Sequence, residues 1–328
     1  MAAKKKQLAR GVLVNQLTLS RDGKFAAGHT SASQGGTELC VVEVASGIER
    51  RLSLESPFTR VAAVDFLGED LLVAALHDVA GEHLRDNAWT LLRIDPAGVV
   101  TRSGPLVTHS VSGALAVGPE GQVALVVATT LFVWKPGELL AGKPPQRLEL
   151  EVDEHFSQHA AWTATGELLV LAFDRLVELS RQLKARVVPL ADIEAHGELS
   201  ISGDAVSFCG SWSDAPGPAD ATRFIVDRKT GAVTAKLDSL FHGAHLAEGS
   251  LRGASGGKTW LKKKGWKQAT RTPELQDGYV MRVGLDGAAL DVVPMKLGRV
   301  DAFVSAGDVV LVGSDKGLTW LSGVFPTR

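Results

Sequence analysis

The chain has 328 residues, 45% of them hydrophobic and 22% charged, with a formal net charge of −2. That composition supplies a core, excludes disorder as a description of the whole chain, and removes the bulk electrostatic argument for nucleic acid or an anionic membrane as the main partner. At about 150 residues per domain the length fits two domains or one large all-β or α/β barrel. The 35 glycines and 13 prolines, beside an apolar set rich in Val and Leu, favour many short strands joined by turns.

The chain begins Met1-Ala2-Ala3-Lys4-Lys5-Lys6 and continues into Gln7-Leu8-Ala9-Arg10, with no apolar stretch behind the charges, so no signal peptide is expected. Lys4 to Lys6 reads as a solvated tail, and removal of residues 1–5 as silent. The first hairpin follows, with the turn Arg21-Asp22-Gly23-Lys24 between two apolar runs, and the same unit then recurs. Its later turns carry Gly68, Gly121, Gly166, Gly203, Gly249 and Gly307, which makes seven copies. A tight hairpin needs a residue at positive φ, which glycine adopts without steric cost. From Gly23 to Gly307 is 284 positions, or six intervals of about 47, against the roughly 40–50 of a four-stranded propeller blade.

Third strands follow the hairpins, as in Leu39 to Val44, Trp89 to Ile94, Leu131 to Trp134 and Arg223 to Val226. Fourth strands come after a further turn, as in Ala232 to Leu237. No helix-period segment of more than about ten residues is present. The longest uncharged apolar stretch, Val123 to Trp134, falls short of the about twenty residues that a membrane-spanning helix needs. Cys40 and Cys209 are the only cysteines, which points to a reducing, cytoplasmic setting.

The chain resembles the β-propeller superfamily, closest to divergent WD-repeat-like propellers. The resemblance rests on Leu17-Thr18-Leu19-Ser20-Arg21-Asp22-Gly23-Lys24 and on Val312-Gly313-Ser314-Asp315-Lys316-Gly317-Leu318-Thr319-Trp320. No unit ends its third strand in Trp-Asp, since Trp134 is followed by Lys135. The resemblance implies an all-β fold, a seven-bladed propeller of four-stranded antiparallel blades, and implies no function by itself. Residues 1–328 are expected to form a single propeller domain. The last unit wants a fourth strand, because Val324-Phe325-Pro326 is short and proline cannot donate to a ladder. Residues 7–14 are expected to supply it.

The connections between second and third strands are short in units three, four and seven and long in the others, near residues 29–37, 77–88, 210–222 and 252–278. These long loops share one face, where binding is expected. The unit-six insertion sets Trp260 and Trp266 among Lys258, Lys262, Lys263, Lys264, Lys267 and Arg271, a mixture of rings and cations suited to docking an acidic peptide or stacking on bases. Its bland alternative is a solvated loop with the tryptophans folded back. Trp212 stands at the start of the unit-five loop. The expected partner is a protein or acidic peptide, with nucleic acid as the local alternative and no membrane.

Seven residues before the turn glycines of units four, five and six stand His159, His196 and His242. Imidazoles converging at a channel mouth would bind zinc or another transition metal and support a metal-assisted hydrolase or lyase. Their other reading is hydrogen bonding within blade interfaces, since metal-ligand spacing inside a single segment is absent. Gly253-Ala254-Ser255-Gly256-Gly257-Lys258-Thr259 brushes both a nucleophile-elbow and a phosphate-loop pattern, yet no helix follows as either chemistry requires. The principal reading is therefore a non-enzymatic, cofactor-free interaction scaffold, with the histidine-lined metal enzyme as runner-up.

Overall fold

A computed structural model describes residues 4–8, 14–30, 38–78, 87–108, 110, 113–151, 159–212, 222–237, 243–247, 249–255, 278–295, 297, 300–314 and 317–325. Seven antiparallel sheets follow one another around a ring, and the fold is a seven-bladed β-propeller. Blade 1 comprises Val14–Leu19, Phe25–Thr30, Glu38–Glu43 and Ile48–Ser53. Blades 3, 4, 5 and 6 repeat that meander from Gly113–Val117 to Gln146–Glu149, from His159–Trp162 to Ala185–Pro189, from Ile193–Ser202 to Val233–Leu237 and from Gly243–Ala247 to Ala289–Pro294. In each of these the first strand faces the channel and the fourth lies at the rim. All seven turn glycines, Gly23 to Gly307, sit at positive φ between 56° and 86°, as the repeated hairpin demands.

Blade 2 departs from the pattern. Its fourth strand is broken into Val100–Arg102 and Leu106–Thr108, both paired with Asn87–Ile94. Gly104 and Pro105 cannot continue the ladder, so Ser103 bridges the gap: its N–H donates to the Leu91 carbonyl and its Oγ accepts from the Leu91 N–H.

The second strands of blades 3 and 4, Val123–Val127 and Leu168–Ala172, are buried at every residue, because each is covered by a blade on both sides. The core is accordingly a series of apolar layers between neighbours, such as Ala27, Leu39, Val61, Val73 and Leu92 between blades 1 and 2. Indole N–H groups tie blades together at these layers. Trp89 donates to the Ser110 carbonyl, Trp162 to Ala116 and Trp320 to Val44, at 2.9, 3.2 and 2.6 Å. The buried Trp89 and Trp320 rings and the half-buried Trp162 ring thereby keep their polar atoms satisfied.

Blade 7 is assembled from both ends of the chain. Val300–Ala306, Val309–Ser314 and Gly317–Ser322 form its inner strands, and Lys4–Leu8 adds the fourth antiparallel to Gly317–Ser322. The register runs from Lys4 opposite Ser322 to Leu8 opposite Leu318. The closing segment therefore starts three residues earlier than residues 7–14, and Lys4 to Lys6 are ladder members and not a tail. The burial suits an outer strand: Lys4, Lys5 and Lys6 are exposed, Lys6 Nζ donates to the Gly47 carbonyl at 2.8 Å, and Leu8 is buried. Residues 9–13 lie outside the described residues, and Val14 begins blade 1.

Deleting residues 1–3 should leave melting unchanged, whereas deleting residues 1–8 exposes the edge of Gly317–Ser322 and should give insoluble or multimeric protein by size-exclusion chromatography. Removal of residues 1–5 takes two register pairs and should already lower the melting temperature. A monomeric protein lacking residues 1–8, melting as the full chain does, would contradict closure by this strand.

Candidate functional site

The first strands enclose a central channel of about 320 Å³. Gln16, Ala62, Ala114, His159, Ser200, His245 and Ala302 line it, one from each blade. The same count of seven residues back from the turn glycines gives Gln16, Val61, Ala114 and Val300 in blades 1, 2, 3 and 7; Gln16 and Ala114, like His159, border the channel, whereas Val61 and Val300 do not. Val61 and Val300 are buried in the blade interfaces, and register shifts between Val61 and Ala63 and between Val300 and Ala302 leave Ala62 and Ala302 at the channel instead. Side chains alternate along a strand, so one inserted residue exchanges channel for interface.

His196 lies in the first strand of blade 5 at a doubled irregularity, between Ala195 and Gly197 and again between Gly197 and Ser200. Leu199 and Ser200 are the channel residues of that blade. The His196 side chain and all of His242 lie outside the described residues. His159 turns toward blade 5: a Cβ built on Gly197 would stand 2.7 Å from its Nε2, so the imidazole packs against glycine backbone. Burial, and then the nearby Arg223, push His159 down to about 4. His245, which counting did not select, is opposite Arg252 in register. Burial and then Arg252 push it likewise to about 4. The Arg252 guanidinium donates to the Gly307 carbonyl at 2.8 Å and lies 5.6 Å from the centre of the Phe325 ring, which directs this pair toward blade 7. The two imidazoles, both bordering the channel, thus have different neighbours, Gly197 for His159 and Arg252 for His245. Among the described residues no group of three or more His, Cys, Asp or Glu is placed to hold a metal ion.

One carboxylate joins three blades beside the channel. Asp65 Oδ1 accepts from Thr18 Oγ1 of blade 1 at 3.1 Å and from the Phe66 N–H at 2.8 Å, and Oδ2 accepts from the Val117 N–H of blade 3 at 2.7 Å. Burial pushes its pKa up to about 6 against those donors. No sequence motif marks this residue, since Thr18 and Val117 are distant in sequence and the Phe66 and Val117 donors are backbone.

The four long connections leave from Thr30, Asp78, Trp212 and Ser255 and return at Glu38, Asn87, Thr222 and Tyr279. All four strands of departure are second strands running the same way, so these connections emerge from one end of the ring, opposite the seven tight turns. Trp212 closes its strand opposite Ile193, at the foot of that face. Lys258, Trp260, Lys262, Lys263, Lys264, Trp266, Lys267 and Arg271 lie outside the described residues. Gly253 and Ser255 of the glycine-rich pattern belong to a strand, Ser250–Ser255, paired on both sides. Cys40 and Cys209 are buried and not joined in a disulfide, and burial followed by Glu49 pushes Cys40 up to about 12. No described helix is long and apolar enough to cross a membrane.

No protein-family profile matches the chain, and no curated protein is similar to it in sequence. Solved structures do match. A catalytically inactive virginiamycin B lyase from Staphylococcus aureus, crystallised with quinupristin, superposes with a TM-score of 0.66 at 9% identity, over 98% of this chain and 99% of that one. Sqt1 of Saccharomyces cerevisiae gives 0.58 at 11% identity over 98% of each chain. BamB from Moraxella catarrhalis gives 0.54 at 14% identity, over 96% of this chain and 84% of that one.

Asp65 supplies a pH test. Its folded pKa is raised above the ordinary 3.8, so the folded chain holds this proton more tightly than the unfolded chain. The associated stability is full below about pH 4 and is lost as pH rises through about 6. The melting-temperature gap between the native protein and Asp65→Asn should therefore be wider at pH 4 than at pH 7, and a gap constant across that range would show ordinary titration. The chain is a seven-bladed β-propeller, similar in fold to these solved structures at low sequence identity.

Proposed function

We propose that this chain is a non-catalytic, cytoplasmic interaction scaffold that binds an acidic polypeptide segment on the face carrying the long connections between second and third strands. The supporting observation is the direction of the second strands, which sends the Trp212, Ser255, Thr30 and Asp78 connections out at the same end of the ring. The longest of them carries Trp260 and Trp266 among five lysines and Arg271 in the sequence stretch 258–271. A rigid ring that presents several loops together offers a composite surface at little ordering cost to the scaffold. Aromatic rings supply contact area and lysines attract carboxylates, which is the residue mixture of interface anchors.

Replacing Trp260 and Trp266 together by Ala should sharply reduce capture of partner polypeptide from nuclease-treated extract of the native host. The melting temperature should stay within about 2 °C. A fall of more than about 5 °C, or undiminished capture, would assign these rings to packing. Capture lost on nuclease treatment of the native protein would identify the partner as nucleic acid.

A further inference from the structure

Blade 7 covers a turn of blade 1 in a specific way. Trp320, with Leu311 on one side and Lys6 on the other, places its indole over Gly47, where a Cβ would stand 3.3 Å from the ring. Its Nε1–H donates to the Val44 carbonyl at 2.6 Å, and Lys6 Nζ donates to the Gly47 carbonyl at 2.8 Å. One interface further round, the same frame recurs. Val41 has Ala27 on one side and Arg50 on the other, and Arg50 donates to the Pro96 carbonyl of the blade 2 turn at 3.0 Å. Gly47 and Gly98 complete the two turns at positive φ, 63° and 88°.

The middle position differs. Val41 stands where blade 7 has Trp320, and a Cβ on Gly98 would meet nothing within 4 Å. The volume an indole fills between blades 7 and 1 is open between blades 1 and 2. A cavity of about 330 Å³ results, walled by Phe25, Val41, Leu52, Phe66, Leu71 and Ile94, with the Asp95–Gly98 turn at its rim. That size lies within the range of small-ligand pockets, about 300–1,000 Å³. Lys24 and Arg50 are balanced by Glu69 and Asp95 in the lining, two charges of each sign, so the apolar walls and not a net field decide what enters.

We infer that this socket receives a tryptophan side chain from a partner polypeptide, seated as Trp320 is seated on the neighbouring blade. An aromatic ring offers the largest apolar contact for a single side chain, and its N–H would face turn backbone as that of Trp320 does. The socket opens on the tight-turn face, opposite the long loops. It therefore does not rest on the loop-face reading and stands or falls separately.

N-acetyl-tryptophanamide is the probe, titrated into the full chain and followed by amide chemical shifts. Saturable binding with a dissociation constant on the order of 1 mM is expected, with shift changes centred on Phe25, Phe66 and residues 95–98. N-acetyl-leucinamide should bind at least tenfold more weakly. Val41→Trp, which fills the socket from within, should abolish binding while keeping the melting temperature at or above that of the native protein. Absence of saturable binding, shift changes centred elsewhere, equal binding of the leucine probe, or unchanged binding to folded Val41→Trp would each overturn the assignment. The shift map decides the location even if that variant fails to fold.

Discussion

A propeller blade is a sheet with two apolar faces, and each face must be covered by a neighbour. The requirement passes from blade to blade until the seventh must meet the first, so every layer depends on the ring closing. Here closure is made by pairing Lys4–Leu8 with Gly317–Ser322, which completes blade 7 with residues from opposite ends of the chain. The same segment also fixes the adjoining interface. Lys6 and Trp320, partners in the closing ladder, both donate to the turn of blade 1. Leu8, Val42, Val304, Leu318 and Trp320 then form one apolar layer across the junction. Loss of the strand removes ladder bonds, uncovers a sheet edge and loosens that layer together.

The interfaces share a geometry but not a chemistry. Blades 7 and 1 are locked by an indole, and blades 1, 2 and 3 are linked through the Asp65 carboxylate. Blades 4 and 5 are held at the rim by Arg228, half-ringed by Glu167, Glu178 and Asp204 at 3.5 to 3.7 Å. A buried guanidinium among carboxylates gives specificity of pairing more than net stability. Blades 1 and 2 use neither ring nor charge at the position of Val41, and a socket remains. Variation at equivalent positions is how one repeated backbone acquires local binding properties without altering the ring.

The ring was legible in the sequence because its signal is local and repeated. Each hairpin needs a glycine at positive φ, and seven such glycines, 37 to 58 residues apart, give the blade count. The channel was less legible. Bulges at Val61, at Gly197 and at Val300 shift the register within otherwise regular strands, and a count from the turn cannot detect an inserted residue. For that reason Val61 and Val300 turned into interfaces, and Ala62 and Ala302 border the channel. The triple lysine misled in a similar way. Charge at a terminus reads as a solvated tail, yet an outer strand exposes one face, and lysine heads suit that face well. Asp65 and the socket at Val41 had no sequence signal, because both arise from residues brought together only by blade packing.

The most direct measurement concerns the closing register. Lys4→Cys combined with Ser322→Cys places two thiols on directly opposed residues of the closing ladder, at an exposed rim, while Cys40 and Cys209 remain buried. On mild oxidation, peptide mass spectrometry should find an intramolecular 4–322 bond in a monomer, and the oxidised protein should melt higher than the reduced one. Failure to cross-link, or cross-links only between molecules, would contradict a ring closed by its own first strand.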